Sequence, residues 1–257
     1  QNDGYLVETN IGTIYCRSLV GADGSSSIVR KSLGLKRNNK VSRLLEILTP
    51  CRPEDEYLFD EKIVNLDFTP LPRGLQGYYW DFPSIVNGEK MINRGIFDSR
   101  SNEKREKADL KILLKDALLE RGIILENFEL LGHPLHCFQN DIPISKPHAL
   151  LVGDAAGADP LFGEGISFAL GYGRSAAKML VQTFRSENFS FSSYSNFLHE
   201  EKIFRHLSLR ASLSKFAYSI RSTIVLNIGW FLVSMILRLF PKDNPFYIGM
   251  KKIPFKN

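Results

Sequence analysis

The chain has 257 residues, 44% of them hydrophobic and 24% charged, with a net charge of +5. That composition is enough for one sizeable core or two modest ones and excludes a disordered or low-complexity chain. Its three cysteines, Cys16, Cys51 and Cys137, lie far apart and match neither a metal-ligand spacing nor a disulfide framework, which points to a reducing, cytoplasmic setting.

In chain order, Asn2 to Cys16 reads as two short strands around an Asn10-Ile11-Gly12 turn. A strand ending at Leu19-Val20 leads into Gly21-Ala22-Asp23-Gly24. Asp23 and Gly24 make a turn, and a helix starting near Ser25 or Ser27 carries Arg30 in its first turns. Between Lys36 and Cys137, strands are predicted over Val41 to Leu48, Lys62 to Thr69, Gly77 to Phe82 and Lys90 to Phe97. Pro70, Pro72, Gly74 and Asn87-Gly88 mark turns between them. A charged amphipathic helix from Lys104 to Arg121 follows and stops at Gly122. Several strands in succession imply an antiparallel sheet. In the third of them, strand alternation puts Tyr78, Trp80 and Phe82 on one face and Tyr79 and Asp81 on the other, with Pro83 closing the aromatic row.

The run from His148 to Val152 reads as a buried strand that delivers Asp154 to a glycine-rich turn, Gly153-Asp154-Ala155-Ala156-Gly157. Pro160 and Gly163-Glu164-Gly165-Ile166 then open a long helix. Its period predicts an inward stripe of Ile166, Ala169, Leu170, Gly173, Ala177 and Leu180. The partial positive charge and unpaired N–H groups at its start favour an anion or an electron-rich ring in front of it. Beyond it the charge changes: residues 186–257 hold 10 Lys and Arg against 4 Asp and Glu, whereas residues 1–185 hold 23 against 24. This tail includes Ile224 to Leu237, with no charge between Arg221 and Arg238, shorter than the ~20 apolar residues of a membrane span. Two readings stay open. One is a helix in a bilayer surface, with Arg205, Arg210, Lys215, Arg221, Lys242, Lys251 and Lys252 available to anionic head groups. The other is a helix buried against another part of the protein. The basic residues carry no nucleic-acid-binding motif.

The Gly153-Asp154-Ala155-Ala156-Gly157 turn with Pro160 and Gly163-Glu164-Gly165-Ile166 resembles a flavin-contact motif of the p-hydroxybenzoate hydroxylase-like FAD-dependent oxidoreductases, specifically their geranylgeranyl reductase branch. Aromatic hydroxylases usually have histidine where Gly157 stands and glutamine where Glu164 stands. Gly21-Ala22-Asp23-Gly24 through Ser27, Val29, Arg30, Leu33 and Gly34 resembles a second motif of the same superfamily, and Tyr78, Trp80, Phe82 and Pro83 resemble the substrate-pocket motif of the reductases. The resemblance implies an α/β FAD-binding fold, present in part, with an α+β, antiparallel-sheet substrate domain and C-terminal helices. Residues 1–35 and 138–185 would be the partial FAD-binding domain, 36–137 the substrate domain, and 186–257 a basic helical segment with possible peripheral membrane contact. Asp154 would hydrogen-bond the ribityl chain, and the backbone from Gly163 to Ile166 would face the flavin pyrimidine edge. Asp23 and Gly24 would approach from the opposite side, with Arg30 supporting the loop.

By the same resemblance, Tyr78, Trp80, Phe82 and Pro83 would line a channel for an isoprenoid chain. The glycine pair usual after that motif is altered: Gly95 comes late and Phe97 replaces the second glycine. The implied reaction is reduction of C=C bonds in a prenyl chain on a lipid, pigment or quinone, with electrons from NAD(P)H or ferredoxin. Tyr78, Tyr79, Cys51 and Cys137 are candidate proton donors. No GxGxxG turn for the FAD pyrophosphate occurs in the sequence, so an N-terminal dinucleotide-binding part of the same protein is expected as a partner. A flavin-dependent monooxygenase or halogenase shares two of the motifs, and a non-catalytic membrane-docking remnant is a third reading.

Overall fold

The computed structural model describes residues 3–36, 41–138, 142–159, 163 and 165–238. It opens with a hairpin of β1 (Tyr5–Thr9) and β2 (Gly12–Cys16), whose register pairs Thr9 with Gly12 and leaves Asn10-Ile11 as a two-residue loop. β3 (Leu19–Gly21) follows, then α1 (Ile28–Ser32), which is capped by the Ser27 side chain. The middle of the chain holds β4 (Val41–Pro50), α2 (Glu56–Asp60), β5 (Asn65–Asp67), β6 (Gly77–Val86), β7 (Glu89–Asp98), α3 (Leu110–Leu119) and β8 (Leu131–His136). The chain returns through β9 (Ser145–Lys146), β10 (Ala149–Leu151), α4 (Gly153–Ala156) and α5 (Gly165–Ser186). It then runs through α6 (Tyr194–Glu200), α7 (Lys202–Ala217) and α8 (Thr223–Arg238).

Two sheets divide the work. In a three-stranded sheet of order β3-β10-β9, β10 runs parallel to β3 and antiparallel to β9. The chain between β3 and β10 is therefore inserted between two strands that are neighbours in space. β10 is wholly buried, as its Ala-Leu-Leu sequence requires, and packs with Phe168, Tyr172, Ala176 and Met179 of α5. The insertion forms a five-stranded antiparallel sheet of order β5-β6-β7-β4-β8. One face of this sheet, with Ile47, Tyr79 and Ile96, packs under Leu110, Leu113, Leu114 and Leu118 of α3. Burying those leucines gives α3 its stability, and Asp109, whose side chain accepts from the Ile112 N–H, fixes its start.

Several elements differ from the sequence expectation. The predicted helix over Lys104–Arg121 begins only at Leu110, because Asp109 caps there and the charged residues before it have no apolar face to bury. The strand of Tyr78, Trp80 and Phe82 continues past Pro83 to Val86. β5 ends opposite Asp81, so the missing N–H of Pro83 falls where β6 has a single neighbour. The inward stripe expected on α5 is also corrected. Phe168, Tyr172, Ser175, Ala176, Met179 and Thr183 are buried, whereas Ile166 is 82% and Leu170 72% exposed. Both faces of the helix are apolar, and the aromatic face, with more area to bury, takes the core.

Candidate functional site

The parallel pairing of β3 and β10 puts two glycine turns side by side. Gly21 lies opposite Leu151, and the Val152 N–H donates to the Gly21 carbonyl at 2.9 Å. Asp23 and Gly24 thus leave the carboxyl end of one strand beside Gly153 and Asp154 leaving the other, where open α/β sheets bind ligands.

The two turns use their aspartates differently. Asp23 caps α1: its Oδ1 accepts from the Ser27 hydroxyl at 2.6 Å and its Oδ2 from the Val29 N–H at 3.0 Å. Burial opposes ionisation of Asp23, but the Ser27 and backbone donors outweigh it and hold the carboxyl below its usual value. With both oxygens engaged, the turn can meet a ligand through its backbone at Gly24, whose φ of 76° favours glycine and whose Cα faces open space. Asp154 is half-buried, and among the described residues its oxygens accept no hydrogen bond; burial pushes its carboxyl above the usual range. Such a carboxylate accepts readily from the hydroxyls of a ligand.

Arg30 joins the two turns. It is 8% exposed, its Nε donates to the Ala155 carbonyl at 2.8 Å and one terminal nitrogen donates to the Lys36 carbonyl at 2.5 Å. Through the Ala155 carbonyl it supports the Asp154 loop. Gly153 and Gly157 flank that loop with φ of 57° and 88°. A methyl group on Gly157 would press on the Cys137 carbonyl oxygen at 3.1 Å.

Gly163 and Gly165 connect this loop to the other sheet. A methyl group on Gly165, the first residue of α5, would lie 3.2 Å from Asp154 Oδ1. One on Gly163 would lie 2.9 Å from the Tyr78 hydroxyl and 3.6 Å from the Phe97 ring. The glycine turn before α5 is therefore wedged between the Asp154 carboxylate and the aromatic face of the five-stranded sheet. Pro160 and Glu164 lie outside the described residues. Ile166 is on the outer surface of α5.

The aromatic face is as the alternation predicts: Tyr78 and Trp80 are buried, Phe82 and Pro83 are half-buried, and Tyr79 and Asp81 point to the α3 side. Ring centroids of Tyr78 and Trp80 are 6.2 Å apart and those of Trp80 and Phe82 5.8 Å. Trp80 lies across from Gly95, and a methyl group there would fall 2.2 Å from its ring, so the late glycine is what lets the indole lie flat on β7. Phe97, opposite Tyr78, is 1% exposed and fills the space that a glycine would leave beneath the Gly163 turn. Phe68, Leu44 and Leu135 complete the apolar strip.

A polar ladder runs along the same face. Trp80 Nε1 donates to Asn93 Oδ1 at 2.7 Å, Asn93 Nδ2 donates to Glu46 Oε2 at 3.1 Å, and His133 Nε2 lies 3.4 Å from Glu46 Oε1. Nothing in the sequence marks these three residues, because each comes from a different strand. On the opposite face, Arg94 pairs with Asp55 at 2.7 Å and Asp81 at 2.5 Å, Arg121 reaches Asp81 at 2.9 Å, and the Tyr79 hydroxyl donates to Asp81 at 2.6 Å. This buried network stiffens the sheet behind the aromatic strip.

Among the candidate proton donors, Tyr79 is on the wrong face, and burial together with the Asp81 carboxylate pushes its hydroxyl far up. Cys51 sits beyond the end of β4, and burial with the neighbouring Glu56 and Asp55 raises its thiol. Cys137 is buried with its sulfur 2.8 Å from the Ser42 hydroxyl. Of these four candidates, Tyr78 is the one whose hydroxyl lies at the glycine turn.

No protein-family model matches the chain. It is 30% identical over 195 residues to a digeranylgeranylglycerophospholipid reductase of Thermoplasma volcanium, covering 71% of this chain and 45% of that protein. It is 26% identical over 224 residues to an uncharacterized protein of Methanosarcina barkeri, covering 85% and 53%. The chain thus spans about half the length of the relatives it matches. In fold it is similar to the crystal structure of a geranylgeranyl bacteriochlorophyll reductase-like protein from Thermoplasma acidophilum, with a TM-score of 0.62 at 23% identity over 84% of this chain and 54% of that one. By sequence the chain belongs to the geranylgeranyl reductase family, and its fold is that of the p-hydroxybenzoate hydroxylase-like proteins.

Proposed function

We propose that the chain supplies the substrate-side half of an FAD-dependent reductase that saturates C=C bonds in a prenyl chain carried on a lipid, pigment or quinone. The observation that carries this reading is the Gly163–Gly165 turn, with Asp154 on one side and the Tyr78–Trp80–Phe82 strip on the other. The residues present fit a flavin. Asp154 offers a carboxylate to ribityl hydroxyls, the start of α5 offers N–H groups, and Gly24, at positive φ with open space beside its Cα, leaves room for a flat ring. When bound and reduced, FAD supplies hydride to a polarised or positioned double bond.

The side chains then do the rest. Trp80 and Phe82 give an apolar surface on which an isoprenoid chain lies without giving up hydrogen bonds, and Phe68 and Leu135 keep water from it. In this reading the Tyr78 hydroxyl, beside the Gly163 turn, would hand a proton to the carbon next to the one that accepts hydride. We assign the pyrophosphate contacts to a dinucleotide-binding part of the protein. The outer face of α5 at Ile166 and Leu170 and the edge of β3 are surfaces suited to receive it. Electrons would come from NAD(P)H or a ferredoxin.

The test is a pair of substitutions in the FAD-loaded protein. Asp154→Ala should lose flavin on gel filtration, and Trp80→Ala should keep it while slowing turnover of long prenyl substrates. A bleached Trp80→Ala beside a yellow Asp154→Ala would refute the assignment. Oxygen uptake coupled to oxidation or halogenation of an aromatic compound would instead assign a monooxygenase or halogenase function. A flavin halogenase, PltM, has a similar fold, with a TM-score of 0.52 at 13% identity over 86% of this chain and 48% of that one.

A further inference from the structure

We propose that α7 and α8 form a docking surface for an anionic lipid bilayer, with α8 lying in the plane of the interface. The surface is independent of the flavin site and uses residues that no step of the reductase reading employs.

On α8, Ile224, Val225, Ile228, Phe231, Leu232 and Met235 are all at least half exposed. At 100° per residue they fall within one arc of about 120°, the width of a helix face that seeks an apolar phase. Asn227 is exposed outside that arc, and Leu226 and Gly229, on the far side, are partly covered. Leu209, Leu213 and Phe216 on α7, spaced i, i+4 and i+7, form a second exposed apolar stripe. Core helices hide such stripes. Among the described residues these two stripes are exposed.

Charge selects the occupant. From Lys202 to Arg238 the sequence has six Lys and Arg and no Asp or Glu. Lys215 on α7 and Arg221 just before α8 are exposed. An apolar stripe bordered by cations and free of anions suits a surface of acyl chains under anionic head groups. It suits a second apolar stripe of the same charge poorly. The described length of α8 fits a helix lying in the interface. α8 has 16 residues, about 24 Å of helix against a hydrocarbon core of about 30 Å, and among the described residues no helix is long and apolar enough to cross a membrane.

The surface is tied to the substrate sheet. Arg105, between β7 and α3, donates to the Tyr218 carbonyl at 3.0 Å and to the Ser219 carbonyl at 3.4 Å, in the turn between α7 and α8. Docking of α8 on a bilayer therefore holds the sheet that bears the aromatic strip close to that bilayer.

The experiment is co-sedimentation of the full chain with phosphatidylcholine vesicles and with mixed phosphatidylcholine–phosphatidylglycerol vesicles. It needs neither flavin nor turnover, so its outcome is separate from that of the reductase reading. The wild type should pellet with the anionic vesicles at low salt and less at high salt, because screening shortens the reach of the cations. Lys215→Glu with Arg221→Glu should weaken anionic binding by about ten-fold or more. Ile228→Glu with Leu232→Glu should abolish what binding remains at high salt, with helix content by circular dichroism unchanged; Ile228→Ser with Leu232→Ser is the milder variant should the acidic pair unfold the chain. Two results would overturn the proposal. One is negligible pelleting of the wild type with anionic vesicles at low salt. The other is a dimer, by light scattering, that Leu232→Glu dissociates, which would assign the face to a second copy.

Discussion

Gly95→Ala tests how tightly the aromatic strip is built. Gly95 lies in β7 at an ordinary negative φ, so any cost comes from contact and not from backbone strain. The added methyl would lie 2.2 and 2.6 Å from two carbons of the Trp80 ring and 2.7 Å from the Leu45 carbonyl oxygen. Carbon atoms rest at about 3.5–4.0 Å, so the indole must move by roughly 1.5 Å. It has little room: Trp80 is 6% exposed between Tyr78 and Phe82, and a shift of that size breaks its 2.7 Å hydrogen bond to Asn93. Overpacking costs about 1–3 kcal/mol and the lost hydrogen bond about 1 kcal/mol, so Gly95→Ala should destabilise by about 2–4 kcal/mol. Urea denaturation followed by circular dichroism measures this, and tryptophan emission should shift to the red as the indole is displaced. In a Trp80→Ala background only the Leu45 contact remains, so the two substitutions should be non-additive, with the double variant more stable than the sum predicts by about 1–3 kcal/mol. A Gly95→Ala protein within about 0.5 kcal/mol of wild type, or strict additivity with Trp80→Ala, would refute the packing argument.

Arg30→Ala should destabilise by about 2–4 kcal/mol, since two carbonyls that accept from a buried guanidinium lose their donor; thermal denaturation checks it, and Arg30→Lys should recover little because it cannot span both acceptors. Arg94→Ala should cost about 3–5 kcal/mol by leaving Asp55 and Asp81 buried without their shared cation, whereas the double variant Arg73→Ala with Asp116→Ala, an exposed pair, should change stability by less than about 1 kcal/mol. The depressed carboxyl of Asp23 contributes stability that is present above its unfolded value of about 3.9 and is lost as pH falls through the lower folded value. Between pH 5 and pH 2, wild type should therefore lose more stability than Asp23→Asn; parallel acid-unfolding curves for the two would show that the Ser27 and Val29 donors do not favour the ionised form.

Features carried by a few adjacent residues are legible in the sequence. The turns at Asp23-Gly24 and Asp154 were legible because glycine at positive φ and a short apolar strand are properties of a few adjacent residues. The facing of Tyr78, Trp80 and Phe82 was legible because the strand period of two needs no partner. Features that join distant residues are not legible in this way. β8 is a strand because Val41–Glu46 pairs with it, although Gly132 and Pro134 weaken its own signal. α5 has two apolar faces, and the sheet chose the one with Phe168 and Tyr172. Arg30 reads as a helix-surface cation, yet the Ala155 carbonyl, 125 positions along the chain, draws it inside. The ladder from Trp80 through Asn93 and Glu46 to His133 joins four strands, and the wedge of Gly163 against Tyr78 joins two sheets. Periodicity reports which side of an element is apolar. Which apolar side is covered, and which polar atoms meet, follows from packing between parts of the chain that the sequence keeps far apart.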